Sequence, residues 1–302
     1  MIEFVNAKIN IGLNIVGRRE DGYHLLETLF YPVGIHNGTP VNPEPFCDVM
    51  ELNPRSSADP EGYEECGVRF LFSGNVVDCL PEKNLVVKGI RVLAAHYGED
   101  RMKSLHPLTL RLQKHLPDGA GMGGGSADAV AAMKLLRRYA EAAGLPKVSD
   151  DQLRELALKV GADCPMFVAN MPAYGEGIGE KLAEVDSFLK GMWLVVVKPS
   201  LHISTAEAFA GVTPRRPVRQ LRELIQEPLY KWRDHITNDF EDSLFPRHPE
   251  LAELKSRLYE EGADYASLTG SGAALYGIFT EEHRARRALQ SIDVDYKTLI
   301  LL

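Results

Sequence analysis

The stretch LPDGAGMGGGSADAVAA, from Leu116 to Ala132, constrains the fold of this chain more than any other segment. It places five glycines directly before a Ser, an Asp and a run of alanines. Each ordered glycine costs roughly 0.5–1 kcal/mol of backbone entropy, and a tight corner needs few of them. A helix that begins at the loop offers free N–H groups and the positive end of its dipole to an anion. The loop therefore predicts a polyphosphate site, with the Ser126 hydroxyl as a candidate ligand of Mg²⁺.

Other glycine motifs fit this loop less well. Gly119, Gly121 and Gly124 match the G-x-G-x-x-G fingerprint of dinucleotide-binding folds. The strand before them alternates instead of being apolar throughout, and the helical stretch RRYAEAAG stands where that fold carries a strand-end acid. No Lys follows the last glycine, which excludes a Walker A loop. A strand-to-helix corner without a ligand remains the alternative interpretation.

Length and composition exclude several classes of protein. A chain of 302 residues with 45% hydrophobic residues is long enough for two domains. The 34 basic and 42 acidic residues give a net charge of −8 without a dense basic block, which argues against a nucleic-acid partner. The four cysteines form no CxxC pair, so reduced, structural thiols are expected. The thiols and the lack of a basic targeting segment predict a cytoplasmic protein, and the short apolar runs predict no membrane partner. A monomer or homodimer is expected.

The periodicity of apolar residues predicts a mixture of strands and helices. Ala7 to Gly17 is rich in β-branched residues, and a turn at Asp21-Gly22 joins it to a second strand in a hairpin. Residues 37–67 lack periodicity, so we interpret them as a surface excursion. Further strands are expected at 108–112, 193–198 and near 267–279, and helices from Leu85, after the glycine loop, at 149–160, from 204, at 218–233 and at 249–261. A boundary near Ala169 divides this α+β chain into domains 1–169 and 170–302.

The segment PDGAGMGGGSADA closely resembles the phosphate loop of the GHMP small-molecule kinases, in its G-G-G-S variant. The segments AKINIGLNIVGRREDGYHLLETLF, EKNLVV, GADCPMF, EGIGE, TNDFE and TGSGAALYGIF appear in the order of one branch of that family. The resemblance covers most of the chain, from Phe4 to Phe279. It implies a two-domain GHMP kinase fold, with an N-terminal ribosomal-S5-like α/β domain that binds ATP and a C-terminal ferredoxin-like domain that binds substrate. It also implies ATP- and Mg²⁺-dependent phosphorylation of a cytidylated sugar alcohol, in isoprenoid precursor synthesis.

Two residues are expected to carry the chemistry. Asp163 precedes Pro165 on a short connection, where spacing alone favours a solvated or capping carboxylate. The resemblance makes Asp163 the catalytic base that takes the proton of the substrate hydroxyl. Lys8 lies in an otherwise apolar strand, where its amine would ordinarily reach for the surface. The resemblance places Lys8 beside Asp163, to balance its charge and orient the attacking hydroxyl.

The resemblance also assigns the binding residues. Substrate contacts are expected from Asn10, Tyr23, His24, Thr205 and Phe209, with Tyr23 and Phe209 on opposite faces of a cytosine ring and His24 at its edge. Nucleotide contacts are expected from the following residues: Asn84, Leu85, Lys114, Pro117, Gly119, Gly121, Met122, Gly123, Gly124, Gly125 and Ser126. From its position alone, Lys114 is equally a solvated charge at a strand end. A second glycine loop, at 270–272, is expected to pack near the site.

Two rival functions remain open at this point. The first is a sibling GHMP kinase of the mevalonate or homoserine type, whose substrates have no base for Tyr23 and Phe209 to hold. The second is a non-catalytic regulator that binds nucleotide on an inactive kinase fold. The presence of both Asp163 and Lys8 argues against the regulator.

Overall fold

The computed structural model describes residues 1–36, 39–40, 46–75 and 79–302. Their strands, β1 to β15 in chain order, are Ile2–Val5, Ala7–Arg18, His24–Val33, Ile35–His36, Thr39–Pro40, Asp48–Pro54, Tyr63–Glu65, Val68–Gly74, Leu108–Lys114, Ala173–Glu176, Lys181–Glu184, Trp193–Lys198, Tyr265–Leu268, Leu275–Phe279 and Tyr296–Leu301. Their α-helices, α1 to α11, are Leu85–Tyr97, Glu99–Lys103, Gly124–Ala142, Asp150–Leu158, Met166–Ala169, Thr205–Ala210, Leu221–Leu224, Leu229–His235, Asp239–Leu244, Pro249–Glu260 and Glu282–Ser291. In this part of the chain, no helix is long and apolar enough to cross a bilayer.

The first half of the chain is built on two sheets. A five-stranded sheet has the order β1-β6-β9-β8-β7, in which only β8 and β9 run parallel. A four-stranded sheet has the order β11-β10-β3-β2 and contains the predicted β2–β3 hairpin. Helices α1 and α3 pack against each other over the first sheet, and the face of α3 with Met133, Leu136 and Ala140 is fully buried. This packing fixes the start of α3, and therefore the glycine loop, at the end of β9.

The second half forms a separate sheet with the order β13-β14-β12-β15. Its strands and helices follow one another as β-α-β-β-α-β, which is the ferredoxin-like arrangement that the resemblance implies. Helices α10 and α11 cover one face of this sheet, and residues of β2 and β3 such as Ile9, Ile11 and Leu29 pack on the other. The α+β class and the two-domain GHMP kinase fold are thus confirmed.

The surface excursion expected at 37–67 is wrong for residues 48–54 and 63–65. Residues 37–38 and 41–45 lie outside the described part, but β6 and β7 are both members of the five-stranded sheet. In β6, Met50 and Leu52 alternate inward as in any half-buried strand, and Asp48 occupies the third inward position. This strand was not predicted because a carboxylate occupies one of its core positions, whereas an alternating strand is recognised by apolar residues at every second position.

Two smaller expectations also change. The Ser-x-x-Glu spacing of Ser204 and Glu207 at the start of α6 predicts a capping box, but only half of it forms. Ser204 accepts a hydrogen bond from the Glu207 amide, whereas the Glu207 side chain turns to His248. The predicted domain boundary at Ala169 has no counterpart in the sheet pairing, because β10 joins β3 in the first half. The division 1–169 and 170–302 therefore stays a prediction.

Candidate active site

The glycine loop adopts a backbone conformation that few other residues accept. Gly119, Gly121 and Gly123 have φ angles of +64°, +74° and +68°, in the left-handed region. Gly123 is the residue before α3, and Gly124 is the first residue of that helix. The alternating positive φ angles turn the chain from the end of β9 into the helix within a few residues.

The second glycine loop holds the first one in place. A Cβ on Gly121 would lie 2.1 Å from the Thr269 carbonyl oxygen, and a Cβ on Gly272 would lie 2.2 Å from the Gly121 nitrogen. The amide of Ala273 donates a hydrogen bond to the Gly119 carbonyl, at 3.1 Å. The expected packing of residues 270–272 near the site is confirmed, and glycine is required on both sides because the two backbones touch.

The loop presents backbone donors that no described protein group accepts. Within the described ranges, none of the amides from Gly121 to Ser126 donates a hydrogen bond. Asn84 caps the N-terminus of α1 through a hydrogen bond from the Val86 amide, and a Cβ on Gly125 would lie 3.6 Å from Leu85. Two helix N-termini therefore meet beside the loop, which is the arrangement that favours a bound anion.

Lys8 and Asp163 come together beside this loop. The Lys8 Nζ lies 3.4 Å from Asp163 Oδ2, with side-chain exposures of 3% and 37%. The same amine donates to the Gly121 carbonyl at 2.8 Å and to Asn10 Oδ1 at 2.5 Å. One buried cation thus links the glycine loop to a carboxylate that remains accessible to a substrate. The alternative in which the Lys8 amine extends to the surface is therefore wrong.

Asn10 lies on the same face of β2 as Lys8, as expected. Its Oδ1 accepts from Lys8, and its Nδ2 donates to Thr28 Oγ1 at 3.0 Å. The residue is only 2% exposed. In this arrangement Asn10 positions the Lys8 amine, and its direct contact with substrate stays a prediction.

Ser126 lies in the first turn of α3, beside the Cys164 thiol. Burial raises the pKa of that thiol to about 12, so it stays neutral. No group of three or more His, Cys, Asp or Glu side chains in the described residues is arranged to hold a metal ion. The half-buried Ser126 hydroxyl next to free amides fits a Mg²⁺ ion that takes most of its ligands from phosphate oxygens and water.

Lys114 is not the solvated charge that its position allowed. Its side chain is 8% exposed, and its Nζ lies 2.6 Å from Asp48 Oδ2 and 2.5 Å from Asp128 Oδ2. Asp48 Oδ1 also accepts from the amides of His115 and Leu116, immediately before the glycine loop. The buried triad therefore joins the chain on both sides of the loop, and contact of Lys114 with the nucleotide stays a prediction.

Asp48 and Asp128 were not among the expected site residues. Asp48 belongs to β6, which the sequence did not predict. Asp128 was interpreted only as an acidic residue in the first turn of the helix after the glycine loop. The only sign of these partners in the sequence was Lys114 itself, a charged residue at the end of a strand with no oppositely charged residue next to it in the sequence. Two buried carboxylates that share one ammonium carry an excess negative charge, which burial makes costly.

That excess charge predicts a pH-dependent stability. Burial, opposed by Lys114 and reinforced by Asp48, raises the pKa of Asp128 to about 7. A raised folded-state pKa stabilises the fold at low pH, and this contribution is lost as the pH rises from about 4 through 7. We expect the free energy of unfolding of the wild type to fall by on the order of 1–3 kcal/mol between about pH 5 and 8, relative to Asp128→Asn. Urea unfolding at four pH values measures this difference, and parallel curves for the two proteins would contradict it.

The substitution Gly124→Val tests the glycine loop as a phosphate site. A Cβ there has only Leu116 atoms within reach, at 3.7 and 3.8 Å, so the fold should accept the side chain. A branched side chain beside the free amides should weaken ATP binding by about tenfold or more. Calorimetry with ATP and circular dichroism measure the two effects, with Ala143→Val at the other end of α3 as the matched control. Normal ATP binding by a folded Gly124→Val protein would make the loop a structural corner.

Two of the expected substrate residues, His24 and Phe209, form a ring cluster with Phe240. His24 stacks on Phe209 with ring centroids 4.6 Å apart and planes 18° from parallel, and Phe240 meets Phe209 edge-on at 4.8 Å. Tyr23 is 59% exposed. Thr205 begins α6 one turn before Phe209, so the two residues share a face of that helix. The face of Phe209 that was expected to meet cytosine is covered by His24, because an uncovered aromatic face gains by stacking.

Further residues support the site without touching it. Asn238 Nδ2 donates to the carbonyls of Leu268 and Gly270, and Thr269 Oγ1 accepts from the Asn10 amide. Asn238 belongs to the TNDFE segment, which carried the resemblance but received no role. These bonds attach the second glycine loop to β2, so Lys8, Gly121 and residues 269–272 form one hydrogen-bonded unit.

Comparisons with known proteins agree with this geometry. The family models described as GHMP kinases N terminal domain and GHMP kinases C terminal match residues 84–170 and 218–296. The 4-diphosphocytidyl-2-C-methyl-D-erythritol kinase of Bacteroides thetaiotaomicron is 41% identical over 282 residues, which are 93% of this chain and 93% of that protein. The protein of the same name from Porphyromonas gingivalis is 41% identical over 292 residues, 95% of each chain.

Solved structures give the same result. A crystal structure of 4-(cytidine 5'-diphospho)-2C-methyl-D-erythritol kinase matches with a TM-score of 0.71 and 28% identity, over 96% of this chain and 94% of that one. The mevalonate kinase of Methanococcus jannaschii shares the fold, with a TM-score of 0.62 at 12% identity over 100% and 98% of the two chains. The chain therefore belongs to the GHMP kinases, and within them to the 4-diphosphocytidyl-2-C-methyl-D-erythritol kinases.

Proposed function

We propose that this ATP-dependent small-molecule kinase phosphorylates the 2-hydroxyl of 4-diphosphocytidyl-2-C-methyl-D-erythritol. The observation that carries the proposal is the buried Lys8 amine, which joins Asp163 to the Gly121 carbonyl of the glycine loop. This arrangement supports a reaction in which an alcohol bound beside Asp163 faces a phosphate bound by the glycine loop. The name shared by the relatives from Bacteroides and Porphyromonas supports the choice of substrate.

Asp163 acts as the base in this reaction. Its accessible carboxylate takes the proton of the substrate hydroxyl while that oxygen forms a bond to the γ-phosphorus of ATP. The bond from the γ-phosphorus to the bridging oxygen breaks, and ADP leaves with that electron pair. Lys8 balances the charge of Asp163 and fixes its orientation. The free amides from Gly121 to Ser126 stabilise the negative charge of the phosphates, because they are oriented before the ligand arrives.

Magnesium is part of the proposal. The Ser126 hydroxyl would hold a Mg²⁺ ion at the start of α3, where the ion would neutralise charge on the transferred phosphoryl group. A cytoplasmic location and a monomeric or homodimeric state are likewise proposals that rest on the sequence.

The ring cluster is proposed to recognise cytosine. Burial and the nearby Arg18 charge lower the pKa of His24, which favours the neutral imidazole. A neutral ring has one donor and one acceptor nitrogen, which suits the donor and acceptor groups on a cytosine edge. A base between Tyr23 and Phe209 requires His24 to leave the face of Phe209 and take the edge.

Tyr23→Ala tests this recognition. We expect KM for the cytidylated alcohol to rise by about tenfold, because a stacked aromatic face is lost, with KM for ATP little changed. Tyr230→Ala is the matched control, since Tyr230 is a similarly exposed tyrosine, 63% against 59%, on α8. Competition by free CMP or CDP in the wild type provides a second measurement. Unchanged KM values together with no competition would favour a mevalonate-type or homoserine-type substrate.

A further inference from the structure

A second cavity lies away from the Lys8–Asp163 pair. It has a volume of about 770 Å³, within the range of small-molecule sites. The end of β3, the start of the connection after α5, the turn at 187–191 and the end of β15 form its walls. Apolar side chains such as Val33, Ile35 and Met171 line much of it, and Met171 is 48% exposed. The cavity is therefore large enough and apolar enough for an organic ligand.

The polar groups in the walls of this cavity are two lysines, a hydrogen-bonded Tyr31–Ser187 pair and one acceptor without a partner. Lys134 and Lys190 both line it, and neither forms an ion pair with a carboxylate of the described residues. None of the lining residues is acidic. Asn170 also lines the cavity, and its Oδ1 is buried without a hydrogen-bond partner in the described chain. A buried acceptor of this kind is costly unless something donates to it.

We propose that this cavity binds a small amphiphile with an apolar chain and a phosphate or carboxylate head. The apolar walls would take the chain, and Lys134 and Lys190 would take the negative charge. A phosphate monoanion keeps one P–OH that can donate to Asn170 Oδ1, which would give that atom its missing partner, whereas a carboxylate head has no proton to donate. An uncharged amphiphile supplies the apolar contacts alone and should bind more weakly.

The cavity is connected to the reaction site through α5. Lys134 Nζ donates to the Phe167 carbonyl at 2.8 Å. The Phe167 ring packs against Gly123, where an added Cβ would lie 3.0 Å from the ring. Asp163 lies three residues before α5 begins at Met166. A ligand that draws the Lys134 amine into the cavity would therefore act on both Gly123 and Asp163.

Calorimetry on the full chain with saturating ADP tests the site, since ADP occupies the glycine loop. Octyl phosphate and octanoate are the probes, which distinguish the two head groups, and octanol is the uncharged comparison. We expect one site for at least one anionic probe, with affinity about tenfold or more above that of octanol. Lys190→Gln should weaken binding of either anion by about tenfold, and Asn170→Gly should weaken binding of octyl phosphate by about tenfold. Lys147→Gln, which changes an exposed lysine elsewhere, should change binding less than about twofold. Glycine preserves the left-handed backbone at position 170, where φ is +56°.

Three results would overturn the proposal. They are no binding of either anion at about 1 mM, displacement of the probe by ADP, and binding of octyl phosphate by Lys190→Gln and Asn170→Gly that is as tight as binding by the wild type. The connection through α5 has its own readout. Saturating probe should change kcat by about twofold or more in the wild type and not in Lys190→Gln. Unchanged turnover in a wild type that binds the probe would overturn that connection.

Discussion

Asp163→Asn should lower kcat by roughly 10²–10⁴-fold, while the affinity for ATP stays close to that of the wild type. Asparagine keeps the size and hydrogen bonding of the side chain but cannot accept the proton of the substrate hydroxyl. Among the described residues, the ion pair of this carboxylate is with Lys8, at 3.4 Å, so the free amides that are proposed to hold phosphate should stay in place. Steady-state kinetics and calorimetry with ATP measure the two quantities.

The control for this substitution is Asp151→Asn, which removes a carboxylate that is 87% exposed on α4. Its kcat should match the wild type, because Asp151 lies at the start of α4, outside the turn that carries Asp163. If Asp163→Asn kept more than about a tenth of the wild-type kcat, Asp163 would not be the base.

Lys8→Met should lower kcat by roughly 10²–10³-fold and should also raise KM for ATP. Methionine fills a similar volume but leaves Asp163, Asn10 Oδ1 and the Gly121 carbonyl without their shared donor. Loss of the hydrogen bond to the Gly121 carbonyl disturbs the glycine loop. ATP binding should therefore weaken in Lys8→Met but not in Asp163→Asn.

The comparison of the two variants is therefore informative. Lys147→Met is the control, since that lysine is exposed and follows the C-terminal end of α3, whereas the glycine loop precedes its N-terminal end. Circular dichroism establishes that Lys8→Met is folded, because a buried unpaired carbonyl destabilises the chain. A folded Lys8→Met protein with normal kcat and normal KM for ATP would contradict the role of Lys8 as the link between base and loop.

The sequence predicted much of this site because its main parts are local. The glycine loop, the following helix and the hairpin with Lys8 each lie in one continuous segment, where periodicity and glycine spacing are informative. The meeting of Lys8 with Asp163, 155 positions later in the chain, was available only through the resemblance to the GHMP kinases. Spacing alone favoured a solvated or capping role for Asp163.

The parts that were not predicted depend on contacts between distant segments. The triad of Asp48, Lys114 and Asp128 needs three separate elements, and Asp48 also disguised β6 by placing a charge at a core position. The stacking of His24 on Phe209 is similar, because it joins the β2–β3 hairpin to α6. Period and spacing carry no information about which distant side chains will meet.

An ADP-release assay with the purified chain tests the proposed reaction most directly. The assay supplies ATP and Mg²⁺ with 4-diphosphocytidyl-2-C-methyl-D-erythritol, mevalonate, homoserine or no alcohol. We predict rapid ADP release with the cytidylated alcohol and with none of the other alcohols. Phosphorus NMR should show one phosphate added at its 2-hydroxyl, and this phosphate signal should be lost in Asp163→Asn. ADP release with mevalonate or homoserine in preference to the cytidylated alcohol, or equal release with and without any alcohol, would contradict the account.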